Sequence, residues 1–590
     1  MTSRRAFGVF GAASAVGAYW ALNFLLGPFD AARRYGRVPG VGDFAFMMSA
    51  GEWRWYACCL AVTIATICLF VAFRKSPGRN PEPGTRNPLL LAPVTTAVLL
   101  ALAIRVFILH GAPTCDDEMV YRFQAQTLAA GHWTAPAPPD PKAFEHIFLG
   151  IYRGRWFGQY GFGHPLILAL GEIIGAIGLI GPLLAGLLTF AVFLLARRLF
   201  DERVARLAAW LAALSPLFAG TGATLLSQNS ATPLVLLGVF FALVAADTGR
   251  FRHALAATLL LGAAFWCRNQ EPVLLGLGPL LLLAWRIARG PARWPLLSGA
   301  LLGGALAVIP LLLLQWHLWG HPLWSNYQAY WWGYLHTPLR SPFGFGEAPW
   351  DIVHTPQAAL AALARNLVRL DAFLLGAPLA VAAAIIGLIG ARRTAAVWAA
   401  FAGFPLTVVV LFFYFWPGLA DTGPQLYHAA GALLLPFIAA GVLHLTDRKA
   451  YGSIIAALLA LAIPAALTFW PTQLLALRRV GLASDEIPRL VHKAGLQRAV
   501  VFTDLRPWRG GFDRCWVLGR PMPRPDLSDP VIYLVTWGKP VDLPLAARLY
   551  PDRPVYYLKQ IDGRVALLPA DAYQGIDSLR AHSAPRDLPP

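Results

Sequence analysis

The sequence predicts a polytopic α-helical membrane protein of about thirteen transmembrane helices, followed by a small C-terminal α/β soluble domain. Three observations carry that prediction. The chain of 590 residues is 57% hydrophobic and only 14% charged, far from the balance of an ordinary soluble protein of this length. Its apolar residues fall in runs of about 20, which match the hydrocarbon thickness of a bilayer and let a helix satisfy its own backbone hydrogen bonds. From about residue 475 the pattern turns mixed and polar, with strand-like runs AVVFTDL (499–505), VIYLVTW (531–537) and VYYLKQI (555–561).

The first apolar run, 7–27, follows Arg4 and Arg5 as a signal peptide would. No small-residue cleavage site follows it, and Gly27 and Pro28 end the run, so it reads as a retained helix. With the run at 54–73 it makes an N-terminal addition, residues 1–87. The core, residues 88–471, opens with apolar windows at 88–109, 164–180, 182–198, 203–220 and 229–246. Further windows follow at 253–269, 271–288, 296–316, 372–390, 395–415, 425–445 and 451–471. That is fourteen candidates in all, and the pair broken at Gly181 and Pro182 is expected to make one net crossing. The remainder, 475–590, is the small domain, expected outside the cell and packed against the core with no site motif of its own.

The net charge of +18 arises from 49 Lys and Arg against 31 Asp and Glu. A nucleic-acid binder would gather that excess on one soluble face. Here it falls in short clusters between apolar runs: Arg74, Lys75 and Arg79; Arg197, Arg198, Arg203 and Arg206; Arg250 and Arg252; Arg286, Arg289 and Arg293; Arg392 and Arg393; Arg448 and Lys449. All six fit cytoplasmic loops facing anionic headgroups, whereas Arg33, Arg34 and Arg37 fall outside against the rule. The long loops 110–163 and 317–371 and the short loop 416–424 then lie on the outer face of the cell or plasma membrane. The six cysteines show no CxxC or metal-finger spacing and read as packing residues.

Asp116, Asp117 and Glu118 follow directly on an apolar run. Such acids can cap a helix, but three side by side also repel one another, which raises a carboxylate for proton transfer or builds a cation site. The same outer face collects Glu145, His146 and His164, which could position a substrate or ligate a metal. It also holds Arg268 at a helix end, where a cation faces an anion, pairs with Glu271 or reaches the headgroups. An aromatic cluster runs from His317 through His321, Trp324 and Tyr327 to Trp332, as a membrane-interface belt or a loop covering a sugar. Ser227, Gln228 and Asn229 read as a cap and turn.

Four segments in order carry a resemblance: CDDEMVYRFQAQTLAAGHW (115–133), QYGFGHPLILALG (159–171), WCRNQEP (266–272) and WHLWGHPLWSNYQAY (316–330). Together they resemble the GT-C fold glycosyltransferases, the protein O-mannosyltransferase and lipid A aminoarabinose transferase-like family, over roughly residues 88–471. The resemblance implies inverting transfer of a sugar from a polyprenyl-phosphate donor to a lipid, protein or polysaccharide acceptor at the outer face. It implies Asp117 as base with Asp116 as rival, and Glu118 orienting the acceptor or sharing a metal. Arg268 would bind the donor phosphate; Tyr121, Glu145, His146, Tyr160, His164, His321 and Tyr327 would bind substrate. A divalent cation held by Asp116, Asp117 and Glu118 stays open, since the fold also has members that need none. The chain departs from the family at Gln425 and Leu426, where an Arg usually precedes a Tyr, and at GFGHP, which lacks the doubled proline.

Two other classes are weighed. A transporter would show repeats and ionisable residues at mid-membrane, which the sequence does not present clearly. A non-catalytic envelope assembly subunit would be expected to lose the Asp-Glu pair, which is present.

Overall fold

The structure is a computed structural model that describes residues 11–13, 15, 50–73, 90–337, 340–349, 352–391, 394–420, 422–445, 461–503, 520–561 and 564–573. The expected helix at 7–27, the first half of that at 451–471 and the basic clusters at 74–79, 392–393 and 448–449 lie outside or largely outside these residues. Among the described residues seven helices are long and apolar enough to cross a membrane, or up to nine if each of two bent pairs is one span.

The helices follow in chain order. Helix α1 spans Ala50–Phe73, and α2 spans Leu91–Ala103 and runs on as a π-helical turn over Ile104–Ile108. Helix α3, Asp116–Ala129, starts with the three acids in its first turn, where the positive end of the helix dipole favours them. Helix α4, Gly163–Ile173, is too short to span. Helix α5 covers Ile177–Leu199. The break expected at Gly181 and Pro182 therefore falls instead at residues 174–176. The glycine serves packing rather than turning: a Cβ at Gly181 would meet the carbonyl oxygens of Gly222 and Thr224.

Helix α6, Glu202–Leu214, is capped by Asp201, which accepts from the amides of Arg203 and Val204, both at 2.9 Å. It bends by 54° into α7, Pro216–Gly222. Helices α8 (Gln228–Thr248), α9 (Phe251–Cys267), α10 (Gln270–Arg289) and α11 (Arg293–Trp319) run back and forth across the layer. Left-handed glycines, Gly249 and Gly320, end the first and last of these four. Helix α12, Pro356–Leu375, turns by 83° into α13, Ala380–Ile389. Asp371 holds that corner by accepting from the amides of Leu379 and Val381 and from the Tyr56 hydroxyl of α1. Helices α14 (Ala395–Phe401), α15 (Gly403–Phe412) and α16 (His428–Leu445) follow, then α17 (Trp470–Ser484) and α18 (Glu486–Lys493).

The core sits around α16, whose span is 89% buried, while α11, 22% buried, turns most of its surface to lipid. One cluster joins Leu188, Val192, Leu207, Val235, Leu236, Leu433 and Phe437. Because lipid is as apolar as leucine, close packing of small residues rather than water exclusion holds such contacts. Gly387 and Gly441 thus bring α13 and α16 backbone against backbone.

The loop after α3 forms a small antiparallel sheet in the order β1-β3-β2, from β1 (Ala135–Pro136), β2 (Leu149–Tyr152) and β3 (Arg155–Gly158). Two short pairs follow, β4 (Gly346–Glu347) with β5 (Val353–His354), and β6 (Leu419–Ala420) with β7 (Gly423–Pro424). The last part of the chain carries β8 (Ala499–Thr503), β9 (Val531–Val535), helix α19 (Lys539–Leu549), β10 (Val555–Ile561) and β11 (Arg564–Pro569). The sheet order is β11-β10-β8-β9, with β8 parallel to both β9 and β10. All three strand-like runs of the sequence are strands.

Chain direction places the two ends of the spans apart. The acids, Arg268, His317 and the loop after α15 lie at one end; Arg197, Arg198, Arg250, Arg286 and Arg289 lie at the other.

Candidate functional site

The first turn of α3 gives each acid a different surrounding, because successive residues on a helix project about 100° apart. Glu118 points inward and is fully engaged: its Oε1 accepts from the Thr114 amide (2.8 Å) and hydroxyl (2.6 Å), and its Oε2 from the Leu225 amide (2.7 Å). It pins the start of α3 to the turn between α7 and α8. Asp116 is buried, and its Oδ2 has no partner. Burial first, and the Asp117 charge second, push its carboxyl well above the ordinary range. Asp117 is half-buried and accepts the Tyr160 hydroxyl at 2.6 Å. Burial raises its carboxyl too, while the Tyr160 bond and the Arg268 charge pull it down.

These three acids do not converge. Among the described residues no group of three or more His, Cys, Asp or Glu is gathered to hold a metal ion. With both Glu118 oxygens taken, the donor set does not fit the divalent cation that the sequence left open.

Around Asp117 the structure gathers most of the expected residues. The Tyr160 ring lies 4.7 Å from that of Tyr121 and 5.9 Å from that of Tyr327. Gln124 and Asn326 both donate to the Tyr160 carbonyl, at 2.9 and 2.7 Å, which fixes its backbone. The Tyr121 hydroxyl is 2.9 Å from Ser227 Oγ, and Arg268 Nη1 donates to the same oxygen at 3.2 Å. Arg268 Nε is ion-paired with Glu271, so the helix-end salt bridge forms while the guanidinium also faces Asp117. That pairing holds Arg268 charged in its half-buried place. His164 donates from Nε2 to the Leu225 carbonyl (2.7 Å) and accepts at Nδ1 from Ser230 (2.8 Å), its edge against Tyr121. Burial pushes its ring down to about 4, so it is neutral at pH 7.

Three expected substrate residues stand elsewhere. His146 Nε2 is 2.9 Å from the Arg520 carbonyl, and Glu145 lies within electrostatic range of Arg520, Tyr330 and Tyr334. Both therefore face the C-terminal segment. His321 is exposed and accepts from the Leu323 amide of its own turn at 3.2 Å. Conversely, Ser227 is a hub of the site rather than a cap, and Tyr414, Glu271 and His428 lie within electrostatic range of Arg268. Only the polar run 227–230 at a helix junction hinted at this, because the contacts join residues 41 and 106 positions apart.

Residues 165–316 match the family model described as dolichyl-phosphate-mannose-protein mannosyltransferase. No curated protein sequence matches the chain. Among solved structures, the chain is similar to ArnT from Cupriavidus metallidurans bound to undecaprenyl phosphate, at 12% identity and a TM-score of 0.50, covering 81% of this chain and 97% of that one. The Archaeoglobus fulgidus oligosaccharyltransferase aligns over 66% of this chain and 55% of that one, at 15% identity and a TM-score of 0.38. Arabinosyltransferase EmbB from Mycobacterium smegmatis aligns over 77% of this chain and 46% of that one, at 14% identity and a TM-score of 0.33. The chain is thus a multi-pass membrane protein that shares its fold with ArnT, and its residues 165–316 resemble the dolichyl-phosphate-mannose-protein mannosyltransferase family.

Proposed function

We propose that the protein transfers one sugar, with inversion, from a polyprenyl-phosphate-linked donor to a lipid, protein or polysaccharide acceptor at the outer face of the cell membrane. The observation that carries this reading is the pairing of a half-buried carboxylate, Asp117, with a half-buried guanidinium, Arg268, across the Tyr121, Tyr160 and Ser227 cluster. Inverting displacement needs a base beside the acceptor hydroxyl and a fixed positive charge at the departing phosphate.

Asp117 takes the acceptor's proton as its oxygen attacks the anomeric carbon. Arg268 stabilises the charge that builds on the phosphate; bonds at Nε and Nη1 fix its plane and leave Nη2 for the anion. Tyr160 orients Asp117, and Glu118 holds the helix that carries it. Tyr327 and Tyr121 offer rings to the sugar. The core over 88–471 holds this site, and residues 475–590 form the extracytoplasmic appendage.

The test is transfer from extracted polyprenyl-phosphate sugars by the purified full chain, with products identified by mass spectrometry. Asp117→Asn abolishes product at unchanged expression, Asp116→Asn retains it, and Arg268→Ala weakens donor use more than acceptor use. A wild-type protein that binds carrier lipid and transfers nothing would favour the assembly-subunit reading.

A further inference from the structure

Among the described residues, the buried polar atoms at this end of the molecule that have no hydrogen-bond partner include Asp116 Oδ2, Glu271 Oε2, Gln228 Oε1, Gln425 Oε1 and His428 Nε2. Leaving such atoms unpaired is costly, so a concentration of them points to a ligand. Asp116 and Glu271 adjoin the base and the phosphate group. The other three make a separate corner, where α7, α8 and α16 meet.

The corner is closed by hydrogen bonds from both sides. His428 Nδ1 is 2.8 Å from the Thr232 hydroxyl, and Thr232 lies one turn beyond Gln228 on α8. Gln425, one turn before His428, donates from Nε2 to Thr221 at 3.2 Å and to Thr422. The Thr221 carbonyl accepts from Asn229, the residue after Gln228, at 2.9 Å. Ser227, just before Gln228, accepts from Arg268, so the corner adjoins the phosphate-binding group. The ring of Phe218, 5.0 Å from that of His428 and perpendicular to it, supplies an apolar wall.

We propose that Gln228, Gln425 and His428 form the subsite for the hydroxyl groups of the donor's sugar, next to the phosphate held by Arg268. This rests on the reading of the site as one for a polyprenyl-phosphate sugar. The chemistry selects the ligand class. Gln425 uses its amide nitrogen within the chain, so its free oxygen only accepts, and the free Gln228 atom likewise accepts. A phosphate or carboxylate finds no complement in amide oxygens, and a lipid tail leaves them unpaired. A cation would have to sit beside the Arg268 charge. A hydroxyl both donates and accepts, so it satisfies the two amide oxygens and His428 Nε2 in either tautomer. Neither Gln228 nor Gln425 carries a charge, which fits a neutral sugar ring.

Binding, rather than transfer, tests this. Decaprenyl phosphate and a set of decaprenyl-phosphate-linked pentoses and hexoses are titrated against the purified full chain, and the ratio of the two Kd values is read for each sugar. Wild type binds at least one sugar-bearing carrier more tightly than the bare carrier. Gln425→Met and Gln228→Met, which keep length and remove the acceptor, each cut that preference by about fivefold to tenfold while the bare carrier binds as before. Unfolding temperatures identify any variant that fails to fold, and His428→Gln then serves as the third. The proposal falls if wild type prefers no sugar-bearing carrier, if the variants keep the preference, or if both ligands weaken together. It also falls if the preference appears only on adding sodium or magnesium, which would mark a cation site. A wild-type protein that shows the preference and transfers no sugar would sink the transfer reading alone.

Discussion

At the scale of single residues, Tyr160 sets the range in which Asp117 would work as the proposed base. A general base acts deprotonated, so the rate falls as pH drops through its pKa, and burial has already raised that value. The Tyr160 hydrogen bond, the strongest influence that holds it down, is removed by Tyr160→Phe. The acid limb of the kcat/KM profile then moves to higher pH, and the loss at pH 6 exceeds that at pH 8. An equal loss at both would mean that Tyr160 only packs. Asp116 to Glu118 were legible because a chain this apolar has few reasons to keep three adjacent acids. Their division of labour was not, since which acid meets Leu225, which meets Tyr160 and which meets nothing depends on segments about 40 and 107 residues away. Ser227, Gln228 and His428 were hidden for the same reason, because a polar residue at a helix end looks like a cap until its partner is known.

At the scale of elements, the site depends on how closely α4 approaches the end of α9. A Cβ at Gly161 would lie 2.6 Å from the Trp266 carbonyl oxygen, and one at Gly163 would lie 2.6 Å from its carbonyl carbon and 2.7 Å from the Cys267 nitrogen. The neighbouring atoms are backbone and cannot swing aside, and the next residue is Arg268. Gly163→Ala therefore displaces Arg268, the proposed donor-phosphate group, costing about 1 to 3 kcal/mol in stability and weakening bare decaprenyl phosphate at least tenfold. Gly304→Ala, which meets nothing within 4 Å, is the control and leaves both unchanged. Unaltered carrier binding in Gly163→Ala would show that this approach does not position Arg268. The sequence reading met GFGHP as an imperfect copy of a proline motif. Its glycines instead answer a packing demand, as Gly181 does, and a one-dimensional pattern cannot separate a glycine that turns the chain from one that lets two backbones touch.

At the scale of the whole molecule, the C-terminal sheet is docked onto the loop that follows α3. The Val535 amide donates to the Ala143 carbonyl at 2.8 Å, Arg520 Nη1 donates to the same oxygen at 3.2 Å, and Arg548 pairs with Asp140 at 3.6 Å. A shared apolar cluster joins Val120, Phe144 and Trp156 to Phe502, Leu534 and Tyr557. Both partners were visible in the sequence, as an outer loop and as strands, but nothing local tells one to bind the other. His146 lies at the join, and burial, with the Arg520 charge beside it, pushes its ring down to about 4 from an ordinary 6.5. The sign follows from linkage: the unfolded histidine takes a proton near 6.5 and the docked one only near 4, so stability is complete above 6.5 and is lost as pH falls from there to 4. That difference amounts to about 3 kcal/mol at the acid end. The join should therefore open on acidification, read as faster hydrogen exchange of the Val535 amide at pH 5 than at pH 7.5 after correction for intrinsic rates. In His146→Gln the join is weaker at pH 7.5 but loses this pH dependence. Equal protection at both pH values in the wild type, or the same acid loss in the variant, would place the sensitivity elsewhere, with the equally depressed His164 the next candidate.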